Sequence, residues 1–296
     1  MKKNILLISA AVLFINFVSF AQTDSLKLKI ERLISSKNAV VGVGIAGIED
    51  NYSCTINAGK RLPMQSVFKF HIALAVLNLA AEGKFSLDQD IFIKKEQLMP
   101  DTWSPIRDKY PGGNVKLPLA EILKYTVTQS DNNGCDILLG LIGGAQKAQE
   151  YVTGLGIEGV NICAGEAEMH KDWKVQYTNW STPESAAALL KEFYVKKLPS
   201  PAMHEFLWNV MVETSTGIKR LKGNLPEGTQ VAHKTGSSGA NDEGLSAATN
   251  DIGIVTLPDG RHFAIAVFVS DSWENNDVNE KIIADIAKAA WDYFVK

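Results

Sequence analysis

The sequence predicts an α+β protein: an antiparallel sheet flanked by the chain's terminal helices, with an all-α lobe inserted between its strands. Three observations predict it. Helical periodicity marks both ends, at 24–36 and 278–294; alternating, β-branched stretches lie just inside them, at 40–56 and 229–269; the segment between those stretches is helical. Residues 22–60 and 213–296 therefore form an α/β lobe, and 61–212 an all-α lobe. With 296 residues, 46% hydrophobic and 21% charged, the chain can bury a substantial core.

Ahead of the folded part, Met1-Lys2-Lys3 and the apolar run from Ile5 to Phe20 read as an export signal. Ser19-Phe20-Ala21 is a small-x-small cleavage site, so residues 1–21 would be removed and Gln22 would begin the mature chain. The run is short for a stable membrane span, and no later stretch is long and apolar enough to make one, which points to a periplasmic or secreted protein. Losing Lys2 and Lys3 takes the formal charge from −3 to −5, which argues against nucleic acid and anionic membranes as partners.

Asp24 can cap the first helix, with Leu26, Ile30, Leu33 and Ile34 on one stripe. The following Gly42-Val43-Gly44-Ile45-Ala46-Gly47 is a literal G-x-G-x-x-G. It opens no helix, however, and Glu49-Asp50-Asn51 turns it into a second alternating strand, so a β-hairpin with glycines for close packing is expected rather than a dinucleotide site. Next, Ser66-Val67-Phe68-Lys69 leads into a helix that is apolar on most sides, hence central to a lobe, and Glu82-Gly83-Lys84 ends it. An irregular, polar region follows through Pro111-Gly112-Gly113. Helices are then expected from Pro118 to Val127, from Asn132 to Ile142, from Gln146 to Val152, from Pro183 to Val195 and from Pro201 to Val212. Residues 164–182 have no sustained period and read as a long loop of the kind that carries function. Strands are expected at 229–234, 247–257 and 261–269.

Chemistry enters with spacing. Ser66 and Lys69, three apart at a helix start, would be neighbours, giving a hydroxyl an amine partner where free N–H groups favour developing negative charge. Ser130-Asp131-Asn132 joins two helices and could face a cleft; Lys234-Thr235-Gly236 ends a strand; Glu166 and Glu168 lie in the long loop. Each is weak alone. S-x-x-K, S-D-N and K-T-G in this order, however, are the set found in class A β-lactamases and penicillin-binding proteins.

On these motifs, and over essentially all of the mature chain, the sequence resembles a class A serine β-lactamase. The resemblance implies that Ser66 opens the β-lactam ring and is acylated, that Lys69 helps activate it, and that Ser130 passes a proton to the leaving nitrogen. It implies further that Asn132 binds the substrate's acylamide, that Lys234, Thr235, Gly236 and the Ser237 hydroxyl hold its carboxylate, and that the Ser66 and Ser237 N–H groups form the oxyanion hole. Glu166 opens the stretch Glu166-Ala167-Glu168-Met169-His170, which stands where the family carries E-x-E-L-N; the resemblance implies that Glu166 is the base that activates water and Glu168 a structural acid. No metal or other cofactor is implied, and monomer is the family default.

The chain departs from that pattern at His170 and Asp136, where asparagines are usual, and at Ala164 and Asn179, where an ion pair commonly closes the loop. We therefore expect Asp136 to pair with His170, and a loop resembling that of the PER-type extended-spectrum branch, with a wider cleft for bulky cephalosporins. Arg220 could replace a missing arginine after K-T-G, although a solvated surface arginine is an equal alternative. Trp103 would line the cleft or simply pack. The five histidines form no metal-spaced cluster, and Cys54, Cys135 and Cys163 allow either one disulfide and an odd thiol or three free thiols. Two competing readings remain at this level: a D,D-peptidase, and a β-lactam receptor that stays acylated.

Overall fold

The computed structural model describes residues 25–296; the expected export signal lies outside them. After helix α1 (residues 25–34) come strands β1 (Val40–Gly47) and β2 (Ser53–Ile56), which pair as the expected hairpin. A short strand β3 (Leu62–Pro63) leads through a 3-10 turn, Gln65–Val67, into helix α2 (Phe68–Ala81). The chain returns to the main sheet only with β8 (Val231–Ser237), β9 (Ser246–Thr256) and β10 (His262–Ser272), and closes with helix α10 (Asn276–Phe294). The sheet is antiparallel in the order β2-β1-β10-β9-β8, which leaves β8 as an edge strand.

Alternation along β10 divides the core. Phe263, Ile265, Val267 and Val269 face one side, where α1 and α10 cover them through Leu26, Ile30, Ile282, Ile283 and Ile286. Ala264, Ala266 and Phe268 face the other and merge with the helical core. Small residues on that second face let helix α8 (Pro183–Val195) lie close: a Cβ on Gly44 would come 2.1 Å from the Pro183 carbonyl oxygen. Close helix approach therefore accounts for Gly42 and Gly44, whereas Gly47 makes room for the Asp50 carboxylate of the hairpin turn.

Helix α2 is buried from Phe68 through Leu77 and forms the centre of the helical part. Around it, in chain order, stand β4 (Asp90–Ile93), α3 (Pro105–Lys109), β5 (Val115–Pro118), α4 (Leu119–Thr128), α5 (Asn132–Ile142) and α6 (Ala145–Gly154). They are followed by β6 (Val160–Asn161), α7 (Glu166–Met169), β7 (Trp180–Ser181), α8 and α9 (Pro201–Val212). Three stretches differ from expectation. The region before Gly113 is not irregular, because β4 pairs with β5 and Ser104 caps α3 by accepting from the Arg107 N–H. Residues 164–182 contain α7, a 3-10 turn at Val175–Thr178 and strand β7; none is long enough to show a period. Lys234-Thr235-Gly236 lies inside β8 instead of ending it, because pairing with β9 runs on to Ser237 opposite Thr249 and overrides the local turn preference of Thr-Gly.

No described helix is long and apolar enough to cross a membrane. The three cysteines are free thiols, Cys54 and Cys135 buried and Cys163 exposed.

Candidate active site

Four segments bring the motif residues together. The 3-10 turn presents Ser66, and α2 begins directly after it, so Lys69 lies one turn along. Lys69 is fully buried, and its Nζ lies 3.0 Å from Ser66 Oγ, 2.8 Å from the Ser130 carbonyl oxygen, 2.5 Å from Asn132 Oδ1 and 2.8 Å from Glu166 Oε1. The same Glu166 oxygen accepts from Ser66 Oγ at 3.3 Å. Four oxygens therefore surround the buried Lys69 nitrogen, so this polar group is fully partnered.

Ser130 sits at φ 60° between α4 and α5, a left-handed conformation that aims its side chain across the cleft. Its Oγ accepts from Lys234 Nζ at 2.9 Å. Burial, followed by the nearby Lys69 charge, pushes the Lys234 ammonium well below the usual lysine range. Asp131 holds this junction rigid: its carboxylate accepts from the N–H groups of Gly134 and Ile106 and from Ser104 Oγ. The Asn132 amide donates to Thr102 Oγ1 at 2.6 Å, leaving its oxygen on Lys69.

Strand β8 forms the opposite wall. Ser238 N–H donates to the Ala248 carbonyl, so by the alternation of antiparallel bonds Ser237 N–H points off the open edge of the sheet, toward the cleft. Arg220 is only 6% exposed, which excludes the solvated alternative. Its guanidinium donates to Ser237 Oγ at 2.7 Å, to the carbonyls of Gly236 and Asn250, and to Glu280. Thr235 Oγ1 is 2.6 Å from Thr216 Oγ1. Lys234, Thr235, Ser237 and Arg220 thus line one cationic, donor-rich edge.

The loop places Glu166 but not by the expected pairing. Among the described residues no hydrogen bond joins Asp136 to His170. Asp136 instead accepts from the N–H groups of Glu166 at 2.7 Å and Ala167 at 2.8 Å, one on each carboxylate oxygen. The start of α7 offers free N–H donors, and these satisfy the carboxylate better than a histidine could. Burial pushes the Asp136 carboxyl up, and these two bonds oppose the shift. Glu168 turns back to cap α7 on the Gly165 N–H, which leaves Glu166 as the acid in the cleft. At the loop's neck Asn179 accepts from the N–H groups of Cys163 and Ala164 and donates to the Ala164 carbonyl, where an ion pair had been missing from the sequence.

A cavity of about 300 Å³ opens between the loop and β8, lined by Gln65, Met169, His170, Trp173, Ser237 and Ser238 among others. Trp103 follows Thr102 of the lining without lining the cavity itself; it is 60% exposed, with its indole N–H on the Gln129 carbonyl and its own carbonyl accepting from Asn132 N–H. Sequence reasoning missed Thr102, Gln65, Gln176 and Thr216. Gln65 directly precedes the nucleophile at φ 47° and bonds to Gln176 of the loop, a pairing across 111 positions with no local signal. No described group of three or more His, Cys, Asp or Glu side chains could hold a metal ion.

A serine bonded to a buried lysine and a carboxylate, beside an edge strand with a free N–H, defines a serine acyl-transfer site. The Beta-lactamase enzyme family model matches residues 25–294. The crystal structure of TLA-1 extended-spectrum β-lactamase superposes with a TM-score of 0.91 at 57% identity, covering 93% of this chain and 99% of that one. β-Lactamase VEB-1 of Pseudomonas aeruginosa is 48% identical over 99% of this chain and 98% of its own length. Extended-spectrum β-lactamase PER-1, from the same organism, is 43% identical over 97% and 94%. The chain belongs to the β-lactamase enzyme family, in its class A serine branch.

Proposed function

We propose that this class A β-lactamase opens the β-lactam ring through an acyl-enzyme on Ser66, with the roles that follow. Ser66 Oγ adds to the lactam carbonyl carbon while Glu166 Oε1, already its acceptor, draws off the proton and the Lys69 ammonium stabilises the developing oxyanion of the serine. The carbonyl oxygen collects charge between the N–H groups of Ser66 and Ser237, donors of a kind worth a few kcal/mol each (about 3–4 in the best-measured case). The carbon–nitrogen bond breaks as Ser130 gives its proton to the ring nitrogen, with Lys234 steadying the hydroxyl. The proton that Glu166 took from Ser66 returns by way of Lys69 to Ser130, which resets both groups. Glu166 then takes a proton from water, whose oxygen attacks the ester, and passes that proton to Ser66 as it leaves. One water is consumed and one ring opened.

The single observation that carries this reading is the meeting of Lys69 Nζ and Glu166 Oε1 on Ser66 Oγ, at 3.0 and 3.3 Å. A D,D-peptidase has no use for a carboxylate at that point. Asn132 would take the acylamide, and Lys234, Thr235, Ser237 and Arg220 the substrate carboxylate. The cavity between loop and β8 suits the bulky side chains of extended-spectrum cephalosporins. The enzyme would act as an exported monomer on penicillins, cephalosporins and β-lactam-type inhibitors, with no cofactor and no nucleic-acid or membrane partner, and would confer resistance. A chromogenic cephalosporin tests it. Steady turnover is expected in the wild type and none in Ser66→Ala; in Glu166→Ala, where Lys69 alone is left beside Ser66 Oγ, slower acylation should end in a trapped acyl adduct by protein mass. A single stoichiometric burst in the wild type would overturn the reading.

A further inference from the structure

Asn250 lies on β9, away from the cleft, and is completely buried. Its backbone is opposite Gly236 in the β8–β9 register, one residue before the Ser237 donor. Its side-chain nitrogen donates to two carbonyls in the segment before the nucleophile, Pro63 at 2.8 Å and Met64 at 3.1 Å. Both neighbours are acceptors, so the amide orientation is determined: the nitrogen must face them, and Oδ1 is left without a partner. One residue is therefore bonded to both arms of the oxyanion hole.

The glycine at 236 lets these arms come close without clashing. A Cβ on Gly236 would meet the Met64 carbonyl oxygen at 2.4 Å and the Ser66 nitrogen at 3.2 Å, so the turn rests directly on bare backbone. The Met64 carbonyl also accepts from Val67 N–H as the 3-10 turn closes, and Gln65 between Met64 and Ser66 is held at φ 47°. Without the amide the Pro63 carbonyl would lose this donor and the Met64 carbonyl would keep only the Val67 N–H; an unmet buried acceptor costs about 1–3 kcal/mol. The turn would relieve that cost by lifting away from β8, carrying Ser66 N–H with it.

We propose that Asn250 is a positioning residue that sets the separation between the Ser66 and Ser237 N–H donors. The inference rests on the assignment of those two groups as the oxyanion hole. Catalytic hydrogen bonds tolerate little error: a misplacement of about 1 Å costs about 100-fold. Loss of the tether moves one donor rather than removing it, so the effect falls below the full loss of a donor, about 10²–10³ in rate.

The test compares Asn250→Ala with Phe193→Leu, a core substitution on α8 whose side chain packs edge-on against Phe70 and bonds to neither arm of the oxyanion hole. Two quantities are read on folded protein: the acylation rate in a single turnover, and the affinity for a phenylboronic acid, whose tetrahedral adduct on Ser66 places an oxygen in the hole. Asn250→Ala should lower both in parallel, by about 10- to 100-fold, while Phe193→Leu leaves both within about twofold. Wild-type values for a folded Asn250→Ala, a fall in acylation with boronate affinity retained, or an equal fall in Phe193→Leu would each overturn the proposal. Should Asn250→Ala not fold, Asn250→Ser keeps one donor on a shorter arm and is read against the same outcomes. A wild type that binds the boronate no better than Ser66→Ala would instead refute the assignment of the hole itself.

Discussion

Asp136→Asn isolates the device that holds Glu166 in place. In the wild type each carboxylate oxygen accepts one N–H at the start of α7, from Glu166 and from Ala167. An asparagine has the same shape but only one acceptor. Its amide nitrogen would face a second N–H donor, leaving that group unmet and one charge-assisted bond lost. An unsatisfied buried donor costs about 1–3 kcal/mol, and a hydrogen bond to a charged group contributes about 1.5–3. The loop should therefore lose about 2–4 kcal/mol of its hold on Glu166, counting overlap between the two figures. In the proposed mechanism Glu166 is the base in both steps, but in deacylation it must also hold the attacking water, so acylation should survive better than deacylation. Stopped-flow acylation, steady-state turnover and the mass of the protein during turnover separate the steps. We expect deacylation to fall about 10- to 100-fold, with acyl-enzyme accumulating. Combined with His170→Asn, the effects on deacylation should add to within about 0.5 kcal/mol, because no hydrogen bond joins the two side chains. Unchanged deacylation in Asp136→Asn would refute the argument; strong non-additivity would restore the direct coupling expected from the sequence.

Two further outcomes follow from the buried groups. Arg220→Ala removes the donor on Ser237 Oγ and leaves Glu280 without its partner, so KM for substrates bearing the ring carboxylate should rise about 10-fold or more, with a smaller change in kcat. Steady-state kinetics measure the split, and an unchanged KM would remove Arg220 from the substrate edge. His71, completely enclosed in α2, is held down to about 4 from an ordinary 6.5 by burial. The unfolded chain then takes the proton first, so the stability this site retains above pH 6.5 is lost as pH falls from 6.5 toward 4, by about 3 kcal/mol. Urea titrations across that range should show a shallower loss for His71→Met than for the wild type; parallel curves would contradict the assignment.

Much of the fold was legible because its signals are local. The bounds of α8 and α9 follow from Pro183 and Pro201 at their first positions, and α5 from Asp131 at its cap and Gly143 in the left-handed region at its end. The motif residues were legible because S-x-x-K, S-D-N and K-T-G carry their own spacing. What could not be read is carried by contacts between distant segments. Four-residue α7 has no period; its start is held by Asp136, thirty residues earlier. The end of β8 is decided by its partner strand, and the burial of Arg220 by three carbonyl and hydroxyl acceptors contributed by β8 and β9. Sequence does register that positions 136, 170, 164 and 179 depart from the family pattern, but not which atoms compensate.

The compensation follows the polar inventory around each position. At 136 the two partners are both N–H donors, so a carboxylate, with two acceptors and no donor, satisfies both. At 179 the side chain faces the N–H groups of Cys163 and Ala164 and also the Ala164 carbonyl, so it needs an acceptor and a donor together; an amide has both, and a carboxylate would oppose the carbonyl. At 250 both partners are carbonyls, and again only an amide nitrogen serves. The Met64 N–H closes the circuit by donating to the Asn179 carbonyl at 2.9 Å, so loop neck, nucleophile turn and sheet are joined through neutral amides. A buried ion pair at the neck would bear a desolvation cost of several kcal/mol per ion before any gain, whereas the amide closure needs no charge at all. Asp136 is the exception that its surroundings require, because its two N–H partners call for a carboxylate.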